Sequence, residues 1–472
     1  MVRKLVVRVL AVAGAIVFLL PLAGAAPPDQ IVRPPKFDYT MNTLPNGLQV
    51  VYLEDHSTPI VHLAVWYHVG SKDEKPGHTG FAHLFEHLMF KGSKNVGPDE
   101  HPSRITGVGG QSNAFTDEDS TVFWETVPSQ YLPLVLWLEA DRMASLQINA
   151  DKFAKEREVV KEERRMRFDN QPFGRLSEII DDKAFTTHPY KHETIGSMAD
   201  LEAATTQDVI DFHDTYYVPN NATVAVVGDF DTKDAQAMVQ QYLARVPKGK
   251  PVPRDIPKEP VQTAERVFTL QEDWPLPAVV VAYHIAADAT PDAYPMHVLD
   301  KILDDGDSSR LYRSLVYEKR MALAAFGEAK IIEHPNLFYA VAIVQPGNQP
   351  ADVLHELISQ VERLKTEPVT DAELTRAKRQ WARDYILGRE TIQQKALQLA
   401  HAIVIHNDIT SADGEFDLFQ NVTVADVQRV ARTYFTATNR TVLTIMPKTA
   451  RAPRGAGDTG AAGNAGRAGG GR

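Results

Sequence analysis

The sequence predicts an α+β fold made of two homologous domains in tandem, each a mainly antiparallel sheet packed against helices. Two observations predict it. An internal repeat covers most of the chain, and each copy contains both Val-rich or aromatic stretches typical of strands and stretches with helical spacing. The length of 472 residues and the hydrophobic content of 43% suffice for two to three packed domains.

The repeat is clearest where each copy ends. QDVIDFHDTYYVPNNATVAVVGDF at 207–230 matches ADVQRVARTYFTATNRTVLTIMP at 425–447, and the matching positions include six identities at a single offset of 218 residues. A weaker match relates VWYHVG at 65–70 to VAYHIA at 281–286. Agreement at nearly one offset in two separate stretches indicates a duplicated unit.

The domain boundaries follow from the repeat and from a change in composition. Residues 248–260 lie in a proline-rich stretch without periodicity and are predicted to be a linker. The repeat then predicts an N-terminal domain over 37–247 and a homologous C-terminal domain over 261–447. Residues 448–472 consist mainly of Gly, Ala and Arg, so we expect a disordered tail there.

Within each copy, the local pattern assigns strands and helices. LQVVYLED at 48–55 and VHLAVWYHV at 61–69 are alternating and rich in Val and aromatic residues, which predicts two strands paired around a short connection. The stretches 133–146 and 151–167 have helical spacing. Each copy closes with a helix and then a strand, so a sheet with helices on one face is expected twice.

The first 25 residues are predicted to be a secretory signal peptide. A basic start precedes an apolar stretch from Val9 to Leu22 and the small residues Ala23-Gly24-Ala25, which fit a cleavage site. A retained membrane anchor is the alternative, because the apolar stretch is only slightly short of a bilayer span. Cleavage would leave a secreted chain without a stable membrane anchor, located in the periplasm if the organism is a bacterium.

Composition removes several classes of function. The chain has no cysteine, which excludes disulfides, thiolate metal sites and cysteine nucleophiles. Its formal net charge is −11, and because both termini are basic, the part between them is more acidic still. A protein that binds nucleic acid needs a basic face, so we expect no nucleic-acid partner and consider peptides the compatible ligands.

The segment FAHLFEHLMF at 81–90 carries the strongest chemical signal. On a helix, His83 and His87 lie one turn apart on the same side, with Glu86 beside them, so both imidazoles can reach one cation. This is the inverted zincin pattern H-x-x-E-H, in which two histidines bind Zn²⁺ and the glutamate acts on a water molecule. Helix histidines satisfied by ordinary hydrogen bonds are the alternative.

A catalytic zinc needs a third protein ligand from another element. In FAKEREVVKEERRMR at 153–167, Glu156 and Glu163 share one helical stripe with Phe153 and Val160. A solvated run of charges is the usual meaning of such a segment. The apolar neighbours on the stripe nevertheless favour a buried polar site.

These segments together resemble the pitrilysin, insulinase and mitochondrial processing peptidase family of inverted zincin peptidases, and so do GGQSNAFT at 109–116 and HPYKHETIG at 188–196. Exactly 75 residues separate the second histidine of HLFEH from the glutamate at the end of the stripe, a spacing that resembles the family pattern. The resemblance implies a processing-peptidase-like metalloenzyme fold and one Zn²⁺ per chain. It assigns the metal ligands to His83, His87 and Glu163, the catalytic general base to Glu86, and an orienting role next to a ligand histidine to Glu156.

Two further assignments complete the site that the resemblance implies. GGQSNAFT becomes the edge strand on which an extended peptide substrate adds by main-chain hydrogen bonds, with Asn113, Ala114 and Phe115 beside the cleft. A glycine turn that enters an ordinary strand is the alternative for this segment. Glu162, the nearest rival to Glu163, lies about 100° round the helix from the stripe.

The chain departs from the family pattern in its second copy. His297, Asp300 and Lys301 stand opposite the three motif residues, and a charged ammonium cannot bind zinc. Relatives that are active as one polypeptide or one homodimer carry an Arg and a Tyr, seven residues apart, that stabilise the oxyanion. Here Tyr317 and Ala324 occupy those two positions.

We therefore hypothesise an exported zinc metalloendopeptidase that hydrolyses oligopeptides or unfolded segments. It would be the zinc-bearing subunit of a heterodimer whose homologous partner supplies the Arg/Tyr pair, with a homodimer as the alternative assembly. The alternative functions are a non-catalytic scaffold or peptide-binding subunit, and zinc bound for structure only. Retention of the whole HxxEH motif favours the enzyme.

Overall fold

The computed structural model describes residues 32–448, and those from Lys36 onward belong to one compact unit. The predicted signal peptide at 1–25 lies outside the described residues, as does the predicted tail beyond Lys448. Among residues 32–448, no helix is both long and apolar enough to cross a membrane.

The first half of the chain builds a six-stranded sheet. Its strands are β1 (Tyr39–Thr43), β2 (Gln49–Glu54), β3 (Ile60–Tyr67), β4 (Gln111–Thr116), β5 (Thr121–Pro128) and β6 (Ala222–Gly228). They lie in the order β1-β2-β6-β3-β5-β4, and every neighbouring pair is antiparallel except the parallel pair β2 and β6. Strand β4 therefore lies at the edge of the sheet.

The second half builds a five-stranded sheet of the same design. Its strands are β7 (Arg266–Glu272), β8 (Ala278–His284), β9 (Ala322–Ala329), β10 (Leu337–Val344) and β11 (Arg440–Pro447). The order is β7-β11-β8-β10-β9, and again only one pair, β7 and β11, is parallel. This order repeats that of β2, β6, β3, β5 and β4, which confirms the predicted fold of two similar, mainly antiparallel sheets packed against helices.

Fourteen helices pack on the two sheets within the described residues. The first half contains α1 (Phe81–Leu88), α2 (Glu100–Gly107), α3 (Leu132–Ser145), α4 (Ala150–Arg164), α5 (Leu176–Ala184), α6 (Met198–Ala203), α7 (Thr206–Tyr216) and α8 (Thr232–Tyr242). The second half contains α9 (Ala293–Leu303), α10 (Pro350–Thr366), α11 (Asp371–Leu387), α12 (Ile392–Val404), α13 (Ser411–Gln420) and α14 (Val424–Tyr434). Two π-helical segments, Arg165–Asp169 and Tyr312–Glu318, add to these. No helix or strand occurs at 248–260, and the predicted domain boundaries stay a prediction.

The residues that identify the repeat hold each half together in the same way. The side-chain amide of Asn221 donates to the carbonyl of the last residue of α7, at 2.8 Å, and to the carbonyl of His68, at 3.1 Å. The amide of Asn439 donates to the last residue of α14, at 2.8 Å, and to His284, at 2.9 Å. Each asparagine thereby joins the end of the helix that precedes the closing strand, α7 or α14, to the end of a central strand, since buried carbonyls must be paired.

One predicted pairing is wrong, because β2 and β3 are not neighbours. Strand β6, which comes more than 150 residues later, lies between them, parallel to β2 and antiparallel to β3. The short connection spans the end of β6, where the carbonyl of Gly228 accepts from Asp55 N at 2.8 Å and that of Ile60 accepts from Asp229 N at 2.9 Å. All seven residues of β6 are buried, so the sheet gains a central strand that local pattern could not assign.

The expectation of helices on only one face is also wrong. Leu399 of α12, from the second half, lies in one apolar cluster with Val51 and covers the second face of the first sheet. Ile180 of α5, from the first half, lies in one cluster with Val280 and covers the second face of the second sheet. Helices α5 and α12 hold the same place in the repeat, so each half covers the other half's sheet. Both sheets carry apolar side chains on both faces, and this exchange removes them from water.

Candidate metal centre

Helix α1 presents its polar side chains on the face away from the core. Phe81, Leu84, Phe85 and Leu88 are buried in the apolar core of the first half. The helix begins after Gly80, whose φ of 91° favours glycine and where a Cβ would lie 2.7 Å from the carbonyl oxygen of residue 195. The remaining side of α1 carries the three polar residues of HLFEH, each half-buried.

The carboxylate of Glu74 fixes the start of the helix. Its two oxygens accept from the backbone N–H groups of Gly80 and Ala82, each at 2.8 Å. The first N–H groups of a helix have no partner inside the helix and carry partial positive charge, so a buried carboxylate there is stabilising. The position of the motif is therefore set by the loop before α1 as well as by the core.

Three potential ligands converge between α1 and α4. His83 Nε2 lies 3.7 Å from Glu163 Oε2, and His87 Nε2 lies 3.4 Å from the same oxygen. Ligands on a tetrahedral zinc with bonds of about 2.0–2.1 Å lie about 3.3–3.5 Å apart, so these separations suit a shared ion. Two imidazoles and one carboxylate are also a donor set that catalytic zinc sites use. The residues present therefore fit a zinc ion.

Glu156 lies near His87, on the side of the ring nitrogen Nδ1. It lies seven residues, about two helical turns, before Glu163 on α4 and is 7% exposed. Its Oε2 is 3.6 Å from His87 Nδ1, and its Oε1 is 3.3 Å from Lys91 Nζ. A carboxylate next to the outer nitrogen of a histidine fixes the ring orientation and the position of its proton. Nε2 of His87 is then the nitrogen that faces Glu163.

Glu86 has a partner that the sequence did not indicate. The hydroxyl of Thr116, the last residue of β4, donates to Glu86 Oε2 at 2.7 Å. The sequence also gave no role to Arg167, whose Nη1 lies 2.7 Å from the second oxygen of Glu163. A threonine at a strand end and an exposed arginine are common, and only the position of β4 beside α1 could have identified the first of them.

The electrostatics distinguish the two glutamates of the site. Burial raises the pKa of Glu86 above its ordinary value. Interaction with His87 lowers the pKa of Glu163, whereas burial lowers the pKa of His83 to about 4. A low histidine pKa keeps a lone pair free on His83, and a low carboxyl pKa keeps Glu163 anionic, so these two groups are in the form that binds a metal. Burial alone would lower the pKa of His87, but Glu156 and Glu163 outweigh it and raise the pKa to about 9, so this ring releases a proton when a metal binds.

The predicted substrate strand lies next to this centre at the edge of the sheet. Ala114 is buried in the core on the side of α1, whereas Phe115 points to the other face, with its ring 6.1 Å from that of Trp66. Asn113 is exposed and, by the alternation of a strand, shares the face of Phe115. Strand β4 pairs only with β5 in the described residues, so its other edge is unpaired.

The other residues weighed in the sequence lie apart from the centre. Glu162 is exposed and pairs with Arg165 at 2.9 Å. Tyr317 is 73% exposed, and Ala324 is an exposed residue of β9, the edge strand of the second sheet. The metal-ligand group of the first half has no copy in the second half, since Lys301 occupies the matching position.

Comparisons with known proteins identify the family to which the chain is similar. The family model described as Insulinase (Peptidase family M16) matches residues 49–197, and the model described as Peptidase M16 inactive domain matches 203–381. Zinc protease PqqE of Helicobacter pylori is 34% identical over 409 residues, which cover 86% of this chain and 92% of that protein.

Solved structures share the architecture. A protease from Helicobacter pylori matches with a TM-score of 0.83 and 33% identity, over 87% of this chain and all of that one. A peptidase M16 inactive domain from Pseudomonas fluorescens matches with a TM-score of 0.79 and 18% identity, over 88% of this chain and 99% of that one, a likeness of fold. Because the chain is 34% identical to zinc protease PqqE and covers 92% of its length, the chain belongs to the insulinase family, peptidase family M16.

Proposed function

We propose that the chain is a zinc endopeptidase in which His83, His87 and Glu163 hold the metal and Glu86 is the general base. The observation that carries the proposal is the convergence of three ligand atoms within 4.8 Å of one another, next to the carboxylate of Glu86. A zinc ion bound there supplies Lewis acidity and lowers the pKa of a water molecule.

The remaining chemistry belongs to the side chains. Thr116 holds Oε2 of Glu86, which leaves Oε1 to take a proton from the attacking water and to return it to the nitrogen of the leaving amine. Burial raises the pKa of Glu86 above its ordinary value, which makes this carboxylate a stronger base than an exposed one. Glu156 keeps Nδ1 of His87 occupied, so that Nε2 stays directed at the metal.

The free edge of β4 supports an extended peptide as the substrate class. A segment added beside Asn113, Ala114 and Phe115 would bind through main-chain hydrogen bonds, which demand an extended conformation and little sequence identity. Folded proteins cannot offer such a segment without local unfolding. Oligopeptides and unfolded segments are therefore the proposed substrates.

The experiment that tests the function is hydrolysis of an internally quenched, unstructured peptide by the zinc-loaded chain. Glu86→Gln is expected to keep its zinc and to lose activity by about 10²–10⁴-fold, because it removes the base and leaves the ligands. Glu163→Gln is expected to lose both zinc and activity. The matched control is Glu162→Gln on the same helix, which points away from the centre and should retain both.

The result that contradicts the proposal is equally specific. Hydrolysis that Glu86→Gln leaves unchanged would remove the glutamate from the mechanism. Zinc content that Glu163→Gln leaves unchanged would remove that residue from the ligand set.

We further propose that a homologous subunit supplies the oxyanion donors, because Tyr317 and Ala324 stand where the family has its Arg/Tyr pair. Loss of one such donor costs about 10²–10³ in turnover, so the chain alone should be slow. Adding the related subunit should raise turnover by at least that factor, and equal rates with and without it would refute the heterodimer. Zinc-loaded chain without hydrolysis in either case would instead support a non-catalytic peptide-binding subunit.

We also propose that the chain is exported after cleavage following Ala25, on the basis of the N-terminal pattern alone. The mass and N-terminal sequence of the chain recovered from its natural host test this. A chain that retains residues 1–25 and sediments with membranes would support the anchor instead.

A further inference from the structure

A second group of metal-ligand side chains lies in the second half, well away in sequence from HLFEH. Asp288 follows β8, His401 lies on α12, and His406 lies in the loop after α12; together we call them the Asp288 cluster. Asp288 Oδ2 is 3.0 Å from His406 Nε2 and 3.6 Å from His401 Nε2. One oxygen and two nitrogens thus face a common point, all within 4.8 Å of one another.

The other polar atoms of two of these ligands, His406 and Asp288, already have partners. Nδ1 of His406 lies 2.8 Å from Ser411 Oγ and 3.9 Å from Glu415 Oε1. Oδ1 of Asp288 accepts from the backbone N–H of Ala289 at 2.7 Å. In protein metal sites, groups of this kind fix a ligand histidine and a ligand carboxylate so that the remaining nitrogen and oxygen point at the ion.

Two residues of the Asp288 cluster are each followed by a residue with an energetically unfavourable backbone conformation. Ala289 has a φ of 56° and Asn407 a φ of 51°, both in the left-handed region that non-glycine residues rarely adopt. These two residues directly follow Asp288 and His406. Strained conformations of this kind persist where the surrounding structure fixes them, and they concentrate at functional sites.

The three side chains differ in solvent exposure, so the cluster is open to solvent on one side. The side chain of His406 is 3% exposed and that of Asp288 is 11% exposed, whereas that of His401 is 42% exposed. An ion would thus enter from the side of His401 and keep a position for water there.

A third group of similar composition shows what a satisfied cluster looks like. His101, Glu125 and Glu139 are fully buried, and the guanidinium of Arg142 lies against both carboxylates. Positive charge is therefore already present there. Among residues 32–448, no Lys or Arg forms an ion pair with Asp288, and its only ion-pair partners are the two imidazoles of the cluster, with His406 Nε2 at hydrogen-bond distance of 3.0 Å.

We propose that Asp288, His401 and His406 form a second cation site that takes a divalent transition metal such as Zn²⁺. Two imidazoles and a carboxylate match the ligand preference of such ions, and the separations of 3.0 and 3.6 Å are near those expected between ligands of one ion. The site joins the segment after β8 to α12, the helix that covers the first sheet. It acts as a clamp on that helix and does not depend on the proposed peptidase activity.

The test is the zinc content of the purified full chain after equilibrium dialysis against Zn²⁺, measured by elemental analysis. His401→Gln is expected to bind one zinc fewer per chain than the wild type. The matched control is His355→Gln, which changes an exposed histidine of α10 outside every cluster and should bind as the wild type does. Combining His401→Gln with Glu163→Gln is expected to remove both ions, so the two sites can be told apart.

A second variant provides an independent test of the site if His401→Gln proves unstable. Asp288→Asn retains the shape of the side chain and removes the charge, and it too should bind one zinc fewer. Zinc that stabilises the fold through this site should raise the melting temperature of Glu163→Gln and not that of the double variant. Equal zinc content in the wild type, His401→Gln and Asp288→Asn would overturn the proposal.

Discussion

Replacing Glu333 by Gln is expected to destabilise the chain by about 3 kcal/mol at pH 7. Glu333 lies in the turn between β9 and β10, and its carboxylate enters the first half, where Oε2 accepts from His68 Nε2 at 2.7 Å and from Lys72 Nζ at 2.5 Å. The side chain of Lys72 is 1% exposed, and its other carboxylate partner is Asp119, at 3.0 Å. The substitution therefore leaves a buried ammonium with one carboxylate instead of two.

The magnitude follows from two independent arguments. Burial alone would raise the pKa of Glu333, but the hydrogen bond from His68 and the charge of Lys72 outweigh it and lower the pKa from 4.5 to about 2. At about 1.4 kcal/mol per pKa unit, this difference corresponds to about 3 kcal/mol. Breaking a buried ion pair by removing one partner costs about 3–5 kcal/mol, and the remaining Asp119 favours the lower end.

The sign of the pH dependence is fixed by the direction of the shift. A carboxyl group with a depressed folded-state pKa stabilises the fold above its unfolded pKa, and this contribution is lost as the pH falls from about 4.5 to about 2. The difference between wild type and Glu333→Gln should therefore shrink to about 1 kcal/mol at pH 3.

Urea unfolding, followed by tryptophan fluorescence at pH 7 and at pH 3, measures both numbers. The matched control is Glu367→Gln, which breaks the exposed ion pair with Arg363 on α10 and should leave the midpoint unchanged. A midpoint for Glu333→Gln equal to that of the control at pH 7 would refute the reasoning. So would a difference that stays constant between the two pH values.

Three further substitutions have defined outcomes. Glu156→Gln should weaken zinc binding by about 10–100-fold, because it frees the outer nitrogen of His87, and a titration against a chelator that finds unchanged affinity would contradict this. Asn439→Ala should cost about 2 kcal/mol in urea unfolding, since two carbonyls lose their donor, and a change below about 0.5 kcal/mol would be too small for that loss. Leu399→Ala should cost about 2–5 kcal/mol by the cavity that it leaves under α12, and a near-neutral result in the same assay would show that α12 does not cover the first sheet in solution.

The fold was predictable from the sequence where the information is local or repeated. The six identities at one offset predicted two copies, and the structure contains two sheets of the same strand order. The order of strands in the sheet was not predictable. The segment at 222–228 predicts an apolar strand, but its pattern does not indicate which strands lie next to it. The same holds for α12, whose pattern predicts a buried face without indicating which sheet it covers.

The candidate site was likewise predictable only where the information is local. Helical spacing alone puts His83 and His87 on one side of α1, and the stripe on α4 identifies Glu156 and Glu163 as a pair. Thr116 could not be found, because a threonine in a strand carries no signal of a contact thirty residues away. The Asp288 cluster has no motif either, since it is assembled from a loop, a helix and a second loop that only the fold brings together.

The second half shows how the helix pair that corresponds to α1 and α4 is joined without a metal-ligand group. In the repeat order, α9 and α11 correspond to α1 and α4. Between them Lys301 Nζ lies 2.8 Å from Asp384 Oδ2 and 2.9 Å from Asp305 Oδ2. An ammonium group thus links the helix pair that, in the first half, carries the candidate zinc ligands.

This comparison predicts the behaviour of His87→Lys, which copies Lys301 into the first half. The new ammonium group would lie near Glu156 and Glu163, so the variant should melt at the temperature of the metal-free wild type, while it loses the zinc of this site and the peptide hydrolysis that depends on it. His87→Leu, which brings no charge, is the control and should melt lower, because it removes the imidazole that lies near both the buried Glu156 and the half-buried Glu163 and puts no polar partner in its place. If His87→Lys melted as low as His87→Leu, the ion itself would be needed to hold α1 and α4 together, and its role would be structural. Retained stability without zinc would mean that the fold has no need of the metal, which leaves chemistry as the reason for its ligands.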